Sequence, residues 1–273
     1  MIRMQKKLST LLNAEIDPAF AKRSQFIFEG VASSKPKRIL DIGCGRGFYL
    51  NAFSLFDFVN EIHGVDINTT YLKKAKKNAH DKRIHIKKGS VYELPFPDRY
   101  FDMIVCSELL EHLDDEQKAL IEIKRVLKQN GTLIVTVPNH NFPFLWDPIN
   151  WILMKGFNAH VPKDRWWIAG IWADHVRLYT EKKLKVQVIK AGFTIIKLNR
   201  VIHHCWPFSH FILYGIGKNL VERIGLKEFD RFNTKPKKVS EVVARIFALP
   251  SLLDKNITSK TSYMNILVSM RKK

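Results

Sequence analysis

Residues Arg38–Leu50 read RILDIGCGRGFYL. An apolar run ends in an acid, then glycines follow at alternate positions, Gly43, Gly45 and Gly47, before a helical apolar pattern, GFYLNAFSLF, begins. A strand that stops on glycines and hands over to a helix lets a ligand approach the backbone at the carboxyl edge of a parallel sheet, where a Cβ would stand in the way. About twenty residues on, Asp66 closes the run EIHGVDIN, where a carboxylate can accept hydrogen bonds from both hydroxyls of a ribose. The pair points to a nucleoside cofactor. A dinucleotide fingerprint, G-x-G-x-x-G, requires glycine at position 48, and this chain has Phe48. NAD and FAD are therefore disfavoured, and no G-x-x-x-x-G-K-[ST] P-loop occurs.

Outward from this stretch, strands alternate with helices. EIHGVDIN reads as a second strand, followed by the lysine-rich helix TTYLKKAKKNAH; IHIKKGS is a third strand and FDMIVCSE a fourth. The amphipathic segment DEQKALIEIKRVLKQ predicts a helix that stops at Asn130-Gly131, and TLIVTVPN a fifth strand. TEKKLKVQVIKAG and FTIIKLNRVI add a helix and a strand, and MNILVSMR a last strand. The fold class expected is α/β: a doubly wound, Rossmann-like, mostly parallel seven-stranded sheet with helices on both faces. Residues 1–35 read as an N-terminal helical segment and 36–273 as the main domain, broken by insertions at about 140–176 and 207–262. The first is rich in Trp, Phe, Pro and His and suits an acceptor lid. The second carries apolar helical segments around a basic stretch.

The chain has 273 residues and 46% hydrophobic content, enough for a buried core. Its 45 basic and 26 acidic side chains give a net charge of +19. Such a balance suits nucleic acid or anionic membrane as partner, although solvated helix faces account for part of it. Cys44, Cys106 and Cys205 have no metal or disulfide spacing, and the basic N-terminus lacks an apolar signal core, so a reduced, cytoplasmic chain is expected. The apolar stretch Trp206 to Gly217 is too short to span a bilayer.

The segments RILDIGCGRGFYL, GVDIN, GSVYELPFPDRYFDMIVCSELLEHL, LKQNGTLIVTVPN and HVRLYTEKKLKVQVIKAGF, in this order over most of residues 36–200, resemble the class I S-adenosylmethionine-dependent methyltransferases of the small-molecule and quinone-type group. The resemblance implies S-adenosylmethionine as cofactor. It implies that Gly43, Gly45 and Gly47 lie against its methionine and ribose parts, and that Asp41 orients the loop and the amino group. Asp66 would bind the ribose hydroxyls, Ile67 would pack on the adenine, Ser90 and Val91 would meet the adenine edge, and Ser107 would stand beside the sulfonium. Many members have an acid where this chain has Ser90.

Methyl transfer from a sulfonium is an in-line displacement that needs positioning and exclusion of water, plus a base when the nucleophile must lose a proton. Candidates are His112 and, in the lid, His175 paired with Asp174. Ubiquinone O-methyltransferases, which Glu108-Leu-Leu-Glu111-His112 resembles, carry a similar cluster associated with a divalent cation; the alternative is that His112 packs the start of a helix, and no metal ligands are assigned. His140 and His160 stand in the lid with Trp146, Trp151, Trp166, Trp167 and Trp172, which as a group suggest a small, hydrophobic, lipid- or quinone-like acceptor. RNA methylation is the rival that the charge suggests, yet Ser107-Glu108-Leu109-Leu110 replaces the tetrapeptide that holds a base amine, and no basic stripe is interleaved with aromatics. A non-catalytic S-adenosylmethionine-binding or membrane-associated protein is the other alternative. Between WPFSHFILYGIGKNLVERIGL and VVARIFALPSLL lie Arg231, Lys235, Lys237 and Lys238, so residues 207–260 are expected at an anionic membrane surface, peripheral to the inner face, or packed on the sheet or a second subunit.

Overall fold

The computed structural model describes residues 2–165, 168–217, 231–232, 238–256 and 262–272. Seven strands form one sheet in the order β3-β2-β1-β4-β5-β7-β6. They are β1 (Arg38–Ile42), β2 (Glu61–Asp66), β3 (Ile84–Lys88), β4 (Phe101–Ser107), β5 (Leu127–Pro138), β6 (Phe193–Val201) and β7 (Asn265–Lys272). The pairs among β1 to β5 are parallel, and β7 runs antiparallel between β5 and β6. This is the doubly wound, mostly parallel sheet expected, with β4 at its centre and the order reversing between β1 and β4. In such a sheet, a ligand crevice opens at that switch point, outside the carboxyl ends of the strands.

Side chains alternate between the faces with the period of a strand. Leu40, Ile104, Leu133 and Val268 join one core with α5 (Glu116–Val126) and α7 (Glu181–Lys190). Ile39, Met103, Ile134 and Leu267 join the opposite core with α2 (Pro18–Ser34) and α3 (Phe48–Phe53). The N-terminal segment holds α1 (Ile2–Asn13) and α2. Asp17 caps α2 by accepting the Ala19 N–H at 2.9 Å, Pro18 supplies its first turn, and Lys35 ends it in the left-handed conformation. A Cβ on Gly30 would stand 2.4 Å from Ile134 Cδ1, so α2 lies against the sheet as closely as only glycine permits.

The boundary before β5 differs from the sequence reading. The helix α5 stops at Val126 rather than Gln129, because Leu127 already pairs with Phe101; the register then shifts to Met103 and Thr132. Asn130 does take a left-handed backbone, φ 61°, as its Asn-Gly signal requires, but it bulges a strand instead of ending a helix.

The two insertions share a third core. Phe142, Trp146 and Ile171 of the first pack with Ile202 and Cys205, and with Leu213 and Tyr214 of the second, next to Ala19 at the start of α2. The first holds α6 (Pro148–Phe157), tied by Asp147: its carboxylate accepts from Asn150 N at 3.1 Å, Asn150 Nδ2 at 2.8 Å and Ile171 N at 2.9 Å. Of the second, Phe211–Gly217, α8 (Lys238–Ala248) and a short turn at Leu249–Asn256 are described. Trp166, Trp167, Lys235 and Lys237 lie outside the described residues.

Candidate functional site

β1 delivers Asp41 to the carboxyl edge of the sheet, 2% exposed, with Oδ2 lacking any hydrogen-bond partner. Burial, and then the Asp66 carboxylate, push its pKa well above the usual carboxylate range. A buried carboxyl oxygen without a partner is uncommon in folded proteins and marks a place for a donor or a cation. Above it runs the glycine loop. Gly43 and Cys44 both donate backbone N–H bonds to the Val65 carbonyl, at 2.8 and 3.1 Å, which moors the loop to β2. Gly45 has a left-handed φ of 51°, and a Cβ there would project into open space with nothing within 4 Å. Gly43 and Gly47 are also left-handed, and Gly47 caps α3. Asp66 stands at the rim, accepting from Gly45 N at 2.9 Å and Asn68 N at 2.8 Å, and each oxygen keeps a lone pair for a hydroxyl. Beside it Ile67 is 69% exposed, an apolar surface facing no protein neighbour. An orphaned acid, an open glycine cradle, a carboxylate rim and a bare apolar side chain fit an amino acid joined to a nucleoside.

Other expected positions are arranged differently. Ser90 accepts the Tyr92 N–H at its hydroxyl, 3.2 Å, and Val91 is buried in the core beneath the sheet. The Val91 side chain is committed to the core, which leaves its backbone to meet a ligand, while the Ser90 hydroxyl still has its own proton to donate. Ser107 ends β4 and shares a 2.9 Å hydrogen bond with Thr136 Oγ1. Thr136 in turn donates to Glu108 Oε1 at 2.8 Å, while Glu108 Oε2 accepts from Asn265 Nδ2 at 2.9 Å and Arg23 Nη1 at 3.3 Å. Both Glu108 oxygens are thus committed to holding α2, β5 and β7 together.

Glu111, by contrast, is 0% exposed with neither oxygen partnered, and burial followed by the nearby Glu108 raises its pKa well above normal. The structure brings His112 and His175 together, rings edge-on with centroids 4.6 Å apart. The expected Asp174–His175 pair does not form. The Asp174 side chain is exposed, and its backbone carbonyl instead accepts from His112 Nδ1 at 2.9 Å. Far from gaining basicity, His175 is pushed down to about 3 by burial and then by His112. It is neutral at physiological pH and a weak base.

Residues 40–135 match the family model described as a methyltransferase domain. Over 101 residues the chain is 39% identical to an uncharacterized methyltransferase, YcgJ, of Bacillus subtilis, covering 36% of this chain and 39% of that protein. Over 170 residues it is 36% identical to the ubiquinone/menaquinone biosynthesis C-methyltransferase UbiE of Vibrio cholerae, covering 58% of this chain and 64% of that one. Among solved structures, YcgJ superposes with a TM-score of 0.53 at 22% identity, covering 86–87% of this chain in company with an S-adenosylmethionine-dependent methyltransferase of Mesorhizobium loti, TM-score 0.52 at 18% identity; 92% and 90% of those chains are covered. Residues 40–135 therefore form a methyltransferase domain similar to those of the S-adenosylmethionine-dependent methyltransferases. Its cofactor is S-adenosylmethionine. The match spans about two-fifths (39%) of the first curated relative and centres on the cofactor half.

The described tryptophans of the lid build the lid itself. Trp146 is fully buried, Trp151 meets Phe144 edge-on at 5.2 Å, and Trp172 stacks on His160 at 4.0 Å. His140 sits beside Asn141, Nδ1 to Oδ1 3.3 Å. Several residues around the methyltransferase cleft carry no sequence signal. Arg23 is 6% exposed and stays charged against its burial because Glu108 and Asp17 face it. Tyr49 shares a 3.3 Å hydrogen bond with Ser24, joining α3 to α2. Arg231, paired with Glu15 at 3.2 Å, stacks 3.7 Å over Phe20, and Phe232 meets Phe48 of the glycine loop edge-on at 6.3 Å. The second insertion therefore touches the cofactor loop, a contact between segments nearly two hundred positions apart that no local pattern announces.

Proposed function

We propose that the chain transfers a methyl group from S-adenosylmethionine to a small, hydrophobic, lipid-like acceptor. The observation that carries this reading is the orphaned Asp41 oxygen below an open Gly45, with Asp66 at the rim. S-adenosylmethionine supplies an electrophilic methyl group on a sulfonium. Asp41 takes the cofactor's amino group, directly or through water, and its charge is then neutralised in place. Asp66 accepts from the ribose hydroxyls, Ile67 covers the adenine, and the backbone at Ser90 and Val91 meets the adenine edge. Ser107, held by Thr136, fixes the floor beside the reacting atoms, and the packed lid excludes water. His112 and His175 are the polar groups at the acceptor edge; Asp174 contributes its carbonyl and not its carboxylate.

The apolar side of the proposal rests on the second insertion. α8 and the turn after it expose Val239, Val242, Ile246, Leu249, Leu252 and Leu253, flanked by Lys238 and Arg245. We propose that this face lies on an anionic membrane surface at the inner side of the cell, each basic residue near such lipid adding about 1 kcal/mol. No helix among the described residues is long and apolar enough to cross a membrane.

Calorimetric titration with S-adenosylmethionine tests the cofactor reading. Wild type should bind, and Asp66→Ala, folded by circular dichroism, should bind about tenfold or more weakly, a loss of about 1.4 kcal/mol or more. No binding by folded wild type would sink the enzyme. Labelled-methyl transfer should then appear in a lipid extract and not in total RNA; label in RNA would favour the basic surface as the acceptor site.

A further inference from the structure

Three donors converge at the foot of the lid. Both oxygens of Glu111 are buried without a partner, and so is Nδ1 of His175. A carboxylate oxygen of Glu111 and one ring nitrogen each of His112 and His175 lie within 4.8 Å of one another. Buried polar atoms in folded proteins are nearly always paired, so three orphans in one place call for a common partner. The lone pairs of a carboxylate and two neutral imidazoles are all acceptors, and the partner that satisfies several acceptors together is a cation. The tautomer of His112 agrees. A carbonyl only accepts, so the 2.9 Å contact of His112 Nδ1 with the Asp174 carbonyl puts the proton on Nδ1 and leaves Nε2 free to ligate. Metal-binding imidazoles are held in this way by a second hydrogen bond.

We propose that Glu111, His112 and His175 bind a divalent transition-metal ion, which staples the end of the lid to the segment behind β4. One carboxylate and two imidazoles form the donor set of zinc and its neighbours, whereas magnesium and calcium take oxygen. Glu108 is outside the set, because Thr136, Asn265 and Arg23 occupy its oxygens. The third ligand comes instead from the lid, whose backbone already joins this segment: Val176 N and Arg177 N both donate to the Glu111 carbonyl, at 2.9 and 3.4 Å. The ion would close the side-chain layer above those backbone bonds, and the exposed edge of His112 is its route in. The proposal stands apart from methyl transfer, since its test reads the ion and the lid rather than turnover.

The full chain, stripped with a chelator, is titrated with cobalt(II) and followed by visible absorption, with limited proteolysis of 140–176 in parallel. The expected result is one saturating equivalent, a band typical of mixed nitrogen and oxygen ligation, displacement by zinc, and cleavage in the lid slowed several-fold by the ion. Glu111→Gln and His175→Ala should bind about tenfold or more weakly. Should either fail to fold, His112→Ala alters an exposed side chain and carries the same expectation. Asp174→Asn keeps both the carbonyl and a residue tolerant of its left-handed φ of 61°, so it should bind as wild type does. Absence of saturable binding by folded wild type, equal affinity in wild type and the folded ligand variants, or a lid cleaved equally fast with and without the ion would overturn the proposal.

Discussion

Asp41 shows how one residue trades stability against binding. Its acid signal at the end of a strand is legible in RILDIG, but its cost is not, because the cost comes from burial and then from Asp66. Its folded pKa lies above the unfolded value of about 3.9, so the native state holds the proton more tightly. Stability from this group is full below that pH and is lost as pH rises toward the folded pKa. Asp41→Asn removes the dependence while filling nearly the same space. In thermal scans without cofactor, the variant should gain on wild type progressively from about pH 4 upward, and its affinity for S-adenosylmethionine should fall. A difference in melting temperature that does not change with pH would contradict this account. At the same scale, Asp66 and the loop glycines were readable by type and spacing, whereas Arg23, Tyr49 and Thr136 were not. They reach the cleft from α2, α3 and β5 only once those elements are packed.

Among elements, β2 illustrates a constraint that a strand pattern hides. EIHGVDIN reads as a strand whatever occupies position 64. In the fold, a Cβ on Gly64 would lie 2.6 Å from Leu50 Cδ1 and 3.0 Å from Cys44 Sγ. Glycine is required because α3 and the cofactor loop press directly on β2. Gly64→Ala should destabilise the protein by about 1–3 kcal/mol through overpacking, read from denaturant midpoints, and should also weaken cofactor binding by displacing Cys44 in the loop. Unchanged affinity at reduced stability would mean that the loop is not set by this contact. The element types themselves followed from periodicity, including α7 and β7, whereas the antiparallel direction of β7 is seen only in the fold. The misjudged end of α5 arose because Asn-Gly is equally good chemistry for a helix stop and for a bulge, and strand pairing with Phe101 decided between them.

Over the whole molecule, the charge of +19 separates into roles. Lys73, Lys74 and Lys77 lie exposed on α4 (Thr69–Asn78), on the far side of that helix from the core, and say nothing of the acceptor. Arg23 and Arg231 are consumed in ion pairs with Glu108 and Glu15. What remains beside the apolar face of α8 is Lys238 and Arg245. Flotation with vesicles containing anionic lipid should therefore retain the protein, weaken with salt, and weaken further in Ile246→Glu combined with Leu249→Glu, two exposed positions whose change leaves the core intact. Retention unaffected by that double substitution would assign the face to another partner, and a change in oligomeric state would point to a second copy of the chain.

From sequence alone came the sheet, the cofactor loop, Asp66 and the family. All of these depend on interactions between near neighbours: strand alternation, turn chemistry at glycine and the short span from loop to acid. The tertiary structure alone decided how the segments outside the cofactor half are arranged. It removed Asp174 from His175, committed Glu108 to a structural network, packed Trp146, Trp151 and Trp172 into the lid and merged the described parts of the two insertions into one core. The reason is physical. Burial, orphaned polar atoms and contacts between distant segments depend on what the rest of the chain places nearby, and a linear pattern records composition and spacing but not that surrounding.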